Sequence, residues 1–121
     1  GLEVESDGRA SIRDSVVSGG VNGIDAFTNQ PSTSAEVNVD DCLVANNSGD
    51  GVSVGANEGT NGGLARVARS TITDNGTGFD QTGTGTLLSH GDNTVEGNGS
   101  DDNGVVGSYA ERRFAVVVHG R

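Results

Sequence analysis

Apolar and polar residues alternate in short runs along this chain, and each series of runs begins with a glycine followed by an apolar residue. Such starts divide the sequence into units of 22, 28, 27 and 26 residues, at Gly1, Gly23, Gly51, Gly78 and Gly104. A period of two is typical of half-buried β-strands, and no window has the i, i+3, i+4 spacing of an amphipathic helix. The pattern therefore predicts an all-β repeat protein.

A second alternating stretch follows within each unit, at 10–17, 37–44 and 65–72, and in a longer form at 86–95. A unit this short cannot bury an apolar face by itself, so we expect its strands to stack on those of the next unit, about 4.8 Å away. The sequence predicts a parallel β-solenoid of about four to five rungs over residues 1–107, followed by a segment of different character at 108–121.

Superposing the units predicts which apolar side chains point into the solenoid. The first strands contribute Leu2, Val4, Ile24, Ala26, Val52, Val54, Phe79 and Val105. The second stretches contribute Ala10, Ile12, Val17, Val37, Val39, Val44, Ala65, Val67, Ile72, Leu88 and Val95. Nearly all of the chain's few apolar residues therefore fall at positions that a solenoid would bury.

The same superposition predicts two inward columns of small or polar side chains. The first column, in which the cysteine is a small buried filler, is Ser15, Cys42, Ser70 and Asn93. The second column lies at the next corner and is Gly20, Asn47, Asn75 and Asn98. We expect the amides of the second column to hydrogen-bond along the stack, as an asparagine ladder.

Composition and charge limit the partners of this chain. Hydrophobic residues make up 31% and aromatic residues 3%, while 17 acidic residues face 7 arginines and no lysine, for a net charge of -10. A surface of this charge repels nucleic acid and anionic lipid, so we expect neither as a partner and no membrane insertion. A single cysteine excludes an internal disulfide.

Three motifs carry a resemblance to a known family. The order Gly-apolar-x-apolar, then x-Ile/Val-x-x-Ser/Cys-x-Ile/Val, then Asn-x-Gly recurs over residues 1–107. It resembles the right-handed parallel β-helix repeats of the pectin-lyase-like superfamily. The resemblance implies a right-handed β-helix that belongs to an extracellular or cell-surface bacterial protein.

One branch of that superfamily, the polygalacturonases, has paired aspartates beside a cysteine, and Asp40-Asp41-Cys42 is similar to that element. For an enzyme, the resemblance makes Asp25, Asp40, Asp41 and Asp80 the candidate catalytic acids. Asn22 stands at the family's first catalytic aspartate, however, and the family's Gly-His-Gly and Arg-x-Lys elements are absent.

The superposition also gives the aspartate doublet a structural interpretation. It places Arg13 beneath Asp40, and it places Asp41 between Asp14 and Arg69. Opposite charges then meet between rungs, where such surface pairs contribute about 0 to 1 kcal/mol each. This interpretation favours structure over catalysis for the doublet.

Acidic residues also suggest a cation site. On the outward side of the first strands, Glu3, Asp25, Ser53 and Asp80 fall in one column. Like charges one strand apart repel, and calcium, which favours carboxylate oxygens, would relieve the repulsion at Glu3, Asp25 and Asp80. Exposure to water and screening by salt would relieve it too. No other cofactor is expected.

Two long connections occupy the same place in successive rungs, at 28–34 and 56–63. Loops that project side by side from a rigid stack are common binding sites in solenoids. The side chains that could hydrogen-bond sugar hydroxyls there are Asn29, Gln30, Asn57, Glu58 and Asn61. The loops contain no aromatic residue, which argues for weak binding.

The two ends of the chain give further expectations. The sequence begins within a rung pattern, which predicts either a piece of a longer protein, its C-terminal portion, or a processed form. An open first rung would expose Leu2, Val4 and Ile12, so we expect a cap or a second copy of the chain to cover it. The apolar run in 109–121 predicts a strand that caps the last rung, the alternative being a partner-binding tail.

Two classes of function follow. The favoured one is a non-catalytic β-helix module that acts as a rigid spacer or a weak glycan-binding surface, with polysaccharide as the candidate partner. The alternative is a shortened or divergent polysaccharide lyase or glycoside hydrolase that acts on acidic polysaccharide. A hydrolase would require two carboxylates that flank the glycosidic bond.

Overall fold

The computed structural model describes residues 1–57 and 61–109, which form strands in successive sets of three. The first set is β1 (Leu2–Val4), β2 (Arg9–Arg13) and β3 (Val16–Ser18), and the second is β4 (Ile24–Thr28), β5 (Ser34–Asp40) and β6 (Leu43–Ala45). The third is β7 (Asp50–Ala56), β8 (Gly62–Ala68) and β9 (Thr71–Thr73), and the fourth is β10 (Thr77–Gln81), β11 (Thr86–His90) and β12 (Thr94–Val95). The last described strands are β13 (Ser100–Asn103) and β14 (Val106–Tyr109).

Every strand pairs in parallel with its counterpart in the next set, which builds three sheets along one axis. Sheet A stacks β1, β4, β7, β10 and β13; sheet B stacks β2, β5, β8, β11 and β14; and sheet C stacks β3, β6, β9 and β12. This is a parallel β-solenoid, so the predicted fold class is confirmed. The described residues close fewer than five turns, because the last set contains only β13 and β14.

The core is the narrow space that the three sheets enclose. Leu2 pairs with Ile24, Ile24 with Val52, and Val52 with Phe79, as the superposition predicts. The fully buried side chains include Ile24, Val37, Val44, Val52 and Ile72. Because each apolar position repeats once per turn, the core is a set of stacked aliphatic columns.

Two predicted inward positions are wrong, and both lie in the last turns. Leu87, which is 1% exposed, occupies the inward place predicted for Leu88, whereas Leu88 pairs with Arg66 on the outer side of sheet B. The fifth passage through sheet A begins at Ser100, and Asp102 pairs with Phe79. Gly104 therefore does not start a rung: it has a φ of 82°, and the adjacent Val105 is 74% exposed.

Both errors have a physical reason. Leu87 and Leu88 are adjacent, so the alternation of apolar and polar residues fits equally well with either of them inward. The extra residues of this unit come after β11 and do not change the register of that strand. The fifth strand of sheet A is polar, with the sequence Ser100-Asp101-Asp102-Asn103, so the pattern of apolar residues does not indicate it. Among the described residues, β13 has a neighbouring strand on one side only, so its side chains are free to be polar.

The two inward polar columns are confirmed. The amide of Cys42 donates to Ser70 Oγ at 3.1 Å, and the amide of Ser70 donates to Asn93 Oδ1 at 2.9 Å. Cys42 is 5% exposed, as expected of a filler. These contacts bond each turn to the next at the corner between sheets B and C.

The asparagine ladder lies at the corner between sheets C and A. Asn47 Nδ2 donates to Asn75 Oδ1 at 2.9 Å, and Asn75 Nδ2 donates to Asn98 Oδ1 at 3.0 Å. The backbone amides of Asn47 and Asn75 donate to the same two oxygens. The residue before each ladder position has positive φ and is a type that tolerates it: Gly19, Asn46, Asp74 and Gly97.

The ends of the solenoid bear on the remaining expectations. β1, β2 and β3 are the outermost strands of their sheets at one end, with Leu2 and Ile12 half-buried. That a cap or second copy covers them stays a prediction. The predicted capping segment lies, beyond Tyr109, outside the described residues. Within 1–57 and 61–109, no helix is long and apolar enough to cross a membrane.

Candidate functional site: a groove on the outer face of sheet A

A shallow groove of about 190 Å³ crosses the outer face of sheet A. Three neighbouring strands, β4, β7 and β10, supply its walls together with Asn22, which precedes β4, and Thr82, which follows β10. Its polar and aromatic lining is Asn22, Asp25, Phe27, Asp50, Ser53, Asp80 and Thr82. Because these strands are hydrogen-bonded in the middle of a five-stranded sheet, the groove has a rigid floor.

The predicted acidic column lies along this floor. Glu3 pairs with Asp25, Asp25 with Ser53, and Ser53 with Asp80, so the register is confirmed. Ser53 Oγ donates to Asp25 Oδ1 at 2.8 Å, and Asn103 Nδ2 donates to Asp80 Oδ1 at 2.6 Å. Neutral donors therefore stand on either side of Asp80, one in β7 and one in β13.

Asp50 is a third carboxyl group in the groove, and sequence reasoning missed it. Burial, the charge of Asp80 and a hydrogen bond to Asp80 raise the pKa of Asp50 to about 6, against an opposing hydrogen bond from Thr77. Burial also raises the pKa of Asp25, with the charges of Asp80 and Glu5 acting in the same direction. The groove thus brings three carboxyl groups together with neutral hydrogen-bond donors but without a positively charged residue in its described lining.

A signal for Asp50 was present in the sequence. A polar residue precedes each repeat glycine, as in Asn22-Gly23, Asp50-Gly51 and Thr77-Gly78, and the structure pairs Asp50 with Thr77. Asn22 Oδ1 in turn accepts from the amide of Asp50 at 3.0 Å. The next residue, Gly51, has no side chain, so the alternation of apolar and polar residues does not tell whether Asp50 points inward or outward.

Phe27 forms the apolar wall of the groove. It lies two residues after Asp25 in β4, so it faces outward by simple alternation, and it is half-buried. Gly55 leaves room for the ring, since a Cβ there would lie 3.2 Å from Phe27 Cδ2 and 2.7 Å from Thr82 Oγ1. The two long loops contain no aromatic residue, and the aromatic side chain near them is supplied by sheet A.

The geometry gives the calcium prediction no support in the described part of the chain. There, no group of three His, Cys, Asp or Glu residues is arranged to hold a metal ion. Asp25 and Asp80 stand two strand spacings apart because Ser53 lies between them. Glu3 is exposed on the far side of Asp25.

Asp40 and Asp41 are not part of the groove. Asp40 ends β5 in sheet B, where its carboxylate lies 3.7 Å from Arg13 Nη2 and 2.7 Å from Arg69 Nη2. The predicted charge pairing between rungs is therefore present, although Arg69 pairs with Asp40 and not with Asp41. Asp41 has a φ of 54° and, with Asp14 and Arg69, forms a corner column of left-handed residues.

His90 and Asp92 anchor a turn near sheet B. His90 ends β11, and its Nδ1 lies 2.9 Å from Asp92 Oδ1. The same oxygen accepts from the amide of Arg69 at 2.9 Å, and this bond lowers the pKa of Asp92. The His90 ring also packs edge-on against Tyr109, with ring centroids 5.3 Å apart. These contacts account for the pair structurally.

The two long loops continue from the strands that form the groove. The amide of Asn57 donates to Thr28 O at 2.9 Å and that of Asn61 donates to Thr33 O at 3.0 Å, so the loops are stacked. Asn29, Gln30, Asn57 and Asn61 are exposed, and Glu58 lies outside the described residues. Their role in binding stays a prediction, and the loops lie next to the Phe27 end of the groove.

Comparisons with known proteins found no match for this chain. No family model matches the chain, and neither a curated protein nor a solved structure matches it.

Proposed function

We propose that this chain is a non-catalytic β-helix module, of the pectin-lyase-like kind, that presents a rigid and weak glycan-binding surface on a secreted or cell-surface bacterial protein. The observation that carries the proposal is the groove on sheet A. It combines an aromatic wall at Phe27 with hydrogen-bonding groups at Asn22, Asp25 and Thr82. Sugars present both an apolar C–H face and hydroxyl groups, which such a surface complements.

The size and exposure of the groove favour weak recognition. Its volume of about 190 Å³ is below the roughly 300 to 1,000 Å³ of pockets that enclose drug-sized ligands. A groove of this size would hold about one sugar ring. Neighbouring units of a longer glycan would then extend over the stacked loops, where Asn29 and Asn57 are exposed.

One observation favours glycoside hydrolysis as a second candidate. Asp50 is a carboxyl group of the groove whose pKa is raised to about 6, which suits it to donate a proton at neutral pH. A lyase is less well supported, because none of the described residues that line the groove is a Lys, Arg or His that could act as the base. Release of reducing ends from polysaccharides would establish the hydrolase and defeat the non-catalytic proposal.

Titration of the ¹⁵N-labelled protein with neutral oligosaccharides, followed by NMR, tests the binding proposal. We expect chemical-shift changes at Gly55 and other groove residues, and roughly five- to ten-fold weaker binding for Phe27→Ala, because the ring's contact with the sugar is lost. Leu43→Ala is the matched control, since it removes a partly exposed apolar side chain from sheet C. Shift changes confined to other faces, or none with any saccharide, would contradict the proposal.

A further inference from the structure

We propose that the groove selects against anionic saccharides and prefers an amino sugar, with Asp25, Asp50 and Asp80 as the specificity-determining residues. The inference rests on the proposed glycan-binding function and names the ligand class for that same groove. It departs from the acidic polysaccharides that the family resemblance implies. Three features carry it: the separation of charge between two sheets, the single neutral donor at each carboxyl group of the groove, and the position of Phe27.

Charge is divided between two faces of the solenoid. The described arginines all lie in sheet B or immediately after one of its strands: Arg9, Arg13, Arg66 and Arg69. There they meet acids of the same sheet, since Arg66 Nη1 lies 3.0 Å from Glu36 Oε2 and Arg69 pairs with Asp40. The outer face of sheet A carries carboxylates on three adjacent strands without a lining cation in the described residues.

Each carboxyl group in the groove receives a single neutral side-chain donor, although a carboxylate can accept several hydrogen bonds. Asp25 receives one side-chain hydrogen bond, from Ser53, and Asp80 receives one from Asn103. Asp50 receives one from Thr77, and burial and the nearby charge of Asp80 raise its pKa. An ammonium group brings three donors and a positive charge, so it would complete this arrangement. A uronic acid would add a further carboxylate to a group that already repels.

Phe27 fixes where the sugar ring would lie. The ring forms one wall, while the carboxyl groups of Asp25, Asp50 and Asp80 line the rest of the groove. A hexosamine with its C–H face on Phe27 would present its amino substituent to a carboxylate. The aromatic face is also compatible with a nearby cation. Stacking therefore serves any sugar, and the carboxylates decide which substituent is accepted.

Three disaccharides of different charge test the inference: diglucosamine, its N-acetylated neutral form and digalacturonate. At pH 7 and low salt we expect affinity in that order, with at least a ten-fold difference between the first and the last. The difference should shrink as salt is added, because the groove is open to solvent. Equal affinity for all three, or tighter binding of digalacturonate, would overturn the inference while leaving glycan binding intact.

Substitutions identify the residues responsible. The double variant Asp50→Asn with Asp80→Asn should retain affinity for the neutral sugar and reduce the preference for diglucosamine over digalacturonate to less than three-fold. Asp102→Asn is the matched control, because it removes an exposed charge from β13 outside the groove. Asp25→Asn serves as a second variant if the double one does not fold. An unchanged preference in the variants would overturn the inference, and binding of none of the sugars would overturn the proposed function as well.

Discussion

Two columns of polar side chains run along this solenoid, and stacking has opposite consequences for them. In the asparagine ladder, Asn47 and Asn75 are 2% and 4% exposed, and each side chain hydrogen-bonds to the next turn. In the acidic column on sheet A, Asp25 and Asp80 are half-buried, and neither bonds directly to the other. The first column stabilises the fold, whereas the second leaves charge unneutralised.

The difference follows from the chemistry of the two side chains. An amide carries both a donor and an acceptor, so identical amides satisfy one another when they stack. A carboxylate only accepts, so a carboxylate column needs donors beside its members: Ser53 lies between Asp25 and Asp80, and Asn103 lies on the far side of Asp80. A surface that keeps carboxylates together without a neutralising charge is the kind of surface on which ligand binding is expected.

A carboxylate placed in the asparagine ladder should destabilise the fold more than any other change considered for the two columns. In Asn75→Asp, the group that donates to Val44 O and Asn98 Oδ1 becomes an acceptor in a buried position. We expect the free energy of unfolding to fall by about 3 kcal/mol or more, since buried acceptors would face one another. Chemical denaturation at pH 7 measures the change.

Asn61→Asp is the matched control for this substitution. Asn61 is exposed on a loop, so the same change of chemistry should alter the stability by no more than about 0.5 kcal/mol. Similar losses in the two variants would show that burial in the ladder is not what makes the amide necessary.

Removing a donor from the acidic column should have a smaller effect. Ser53 is 6% exposed and donates to Asp25, so Ser53→Ala leaves that carboxylate without its side-chain donor. We expect a loss of about 1.5 kcal/mol at pH 7, because a hydrogen bond to a charged group is lost. The loss should decrease at low pH, where Asp25 is protonated. A pH-independent loss would mean that the hydroxyl acts through packing alone.

How much could be predicted from the sequence differs between the two columns. The ladder and the register of Asp25, Ser53 and Asp80 were predictable, because both repeat once per turn and repetition fixes alignment. Asp50 was missed because only the polar character of its position repeats, as Asn22, Asp50 and Thr77, whereas the carboxylate does not recur there in the first four turns. Its proximity to Asp80 depends on the direction of one side chain.

Phe27 shows the same limit in another form. Alternation within β4 places it outward, but only the stack shows that Gly55 on the next strand leaves room for its ring. The errors at Leu88 and Gly104 arose where the repeat itself weakens, in the last turns. Sequence periodicity therefore predicts the scaffold well, and it predicts the groove only where groove residues recur.

The smallest expected effect is a gain in stability from neutralising Asp50. Its pKa is 3.8 without the protein environment and about 6 in the folded protein, so its protonated form is favoured by folding. That contribution is complete below about pH 4 and is lost as the pH rises through 6. At pH 7, Asp50→Asn should therefore be more stable than the unmodified chain by about 1 kcal/mol, after allowing for solvent screening at a partly buried site.

Stability measured against pH separates this cause from a general effect of net charge. The gain from Asp50→Asn should disappear between pH 6 and 4, because Asp50 is then neutral in the unmodified chain too. Asp102→Asn lowers the net negative charge by the same amount at an exposed position, so its effect should be smaller and should lack that transition near pH 6. If the two variants show the same dependence of stability on pH, the carboxylates of the groove repel one another no more than those on the open surface. The acidic column would then differ from the asparagine ladder in its hydrogen bonds alone.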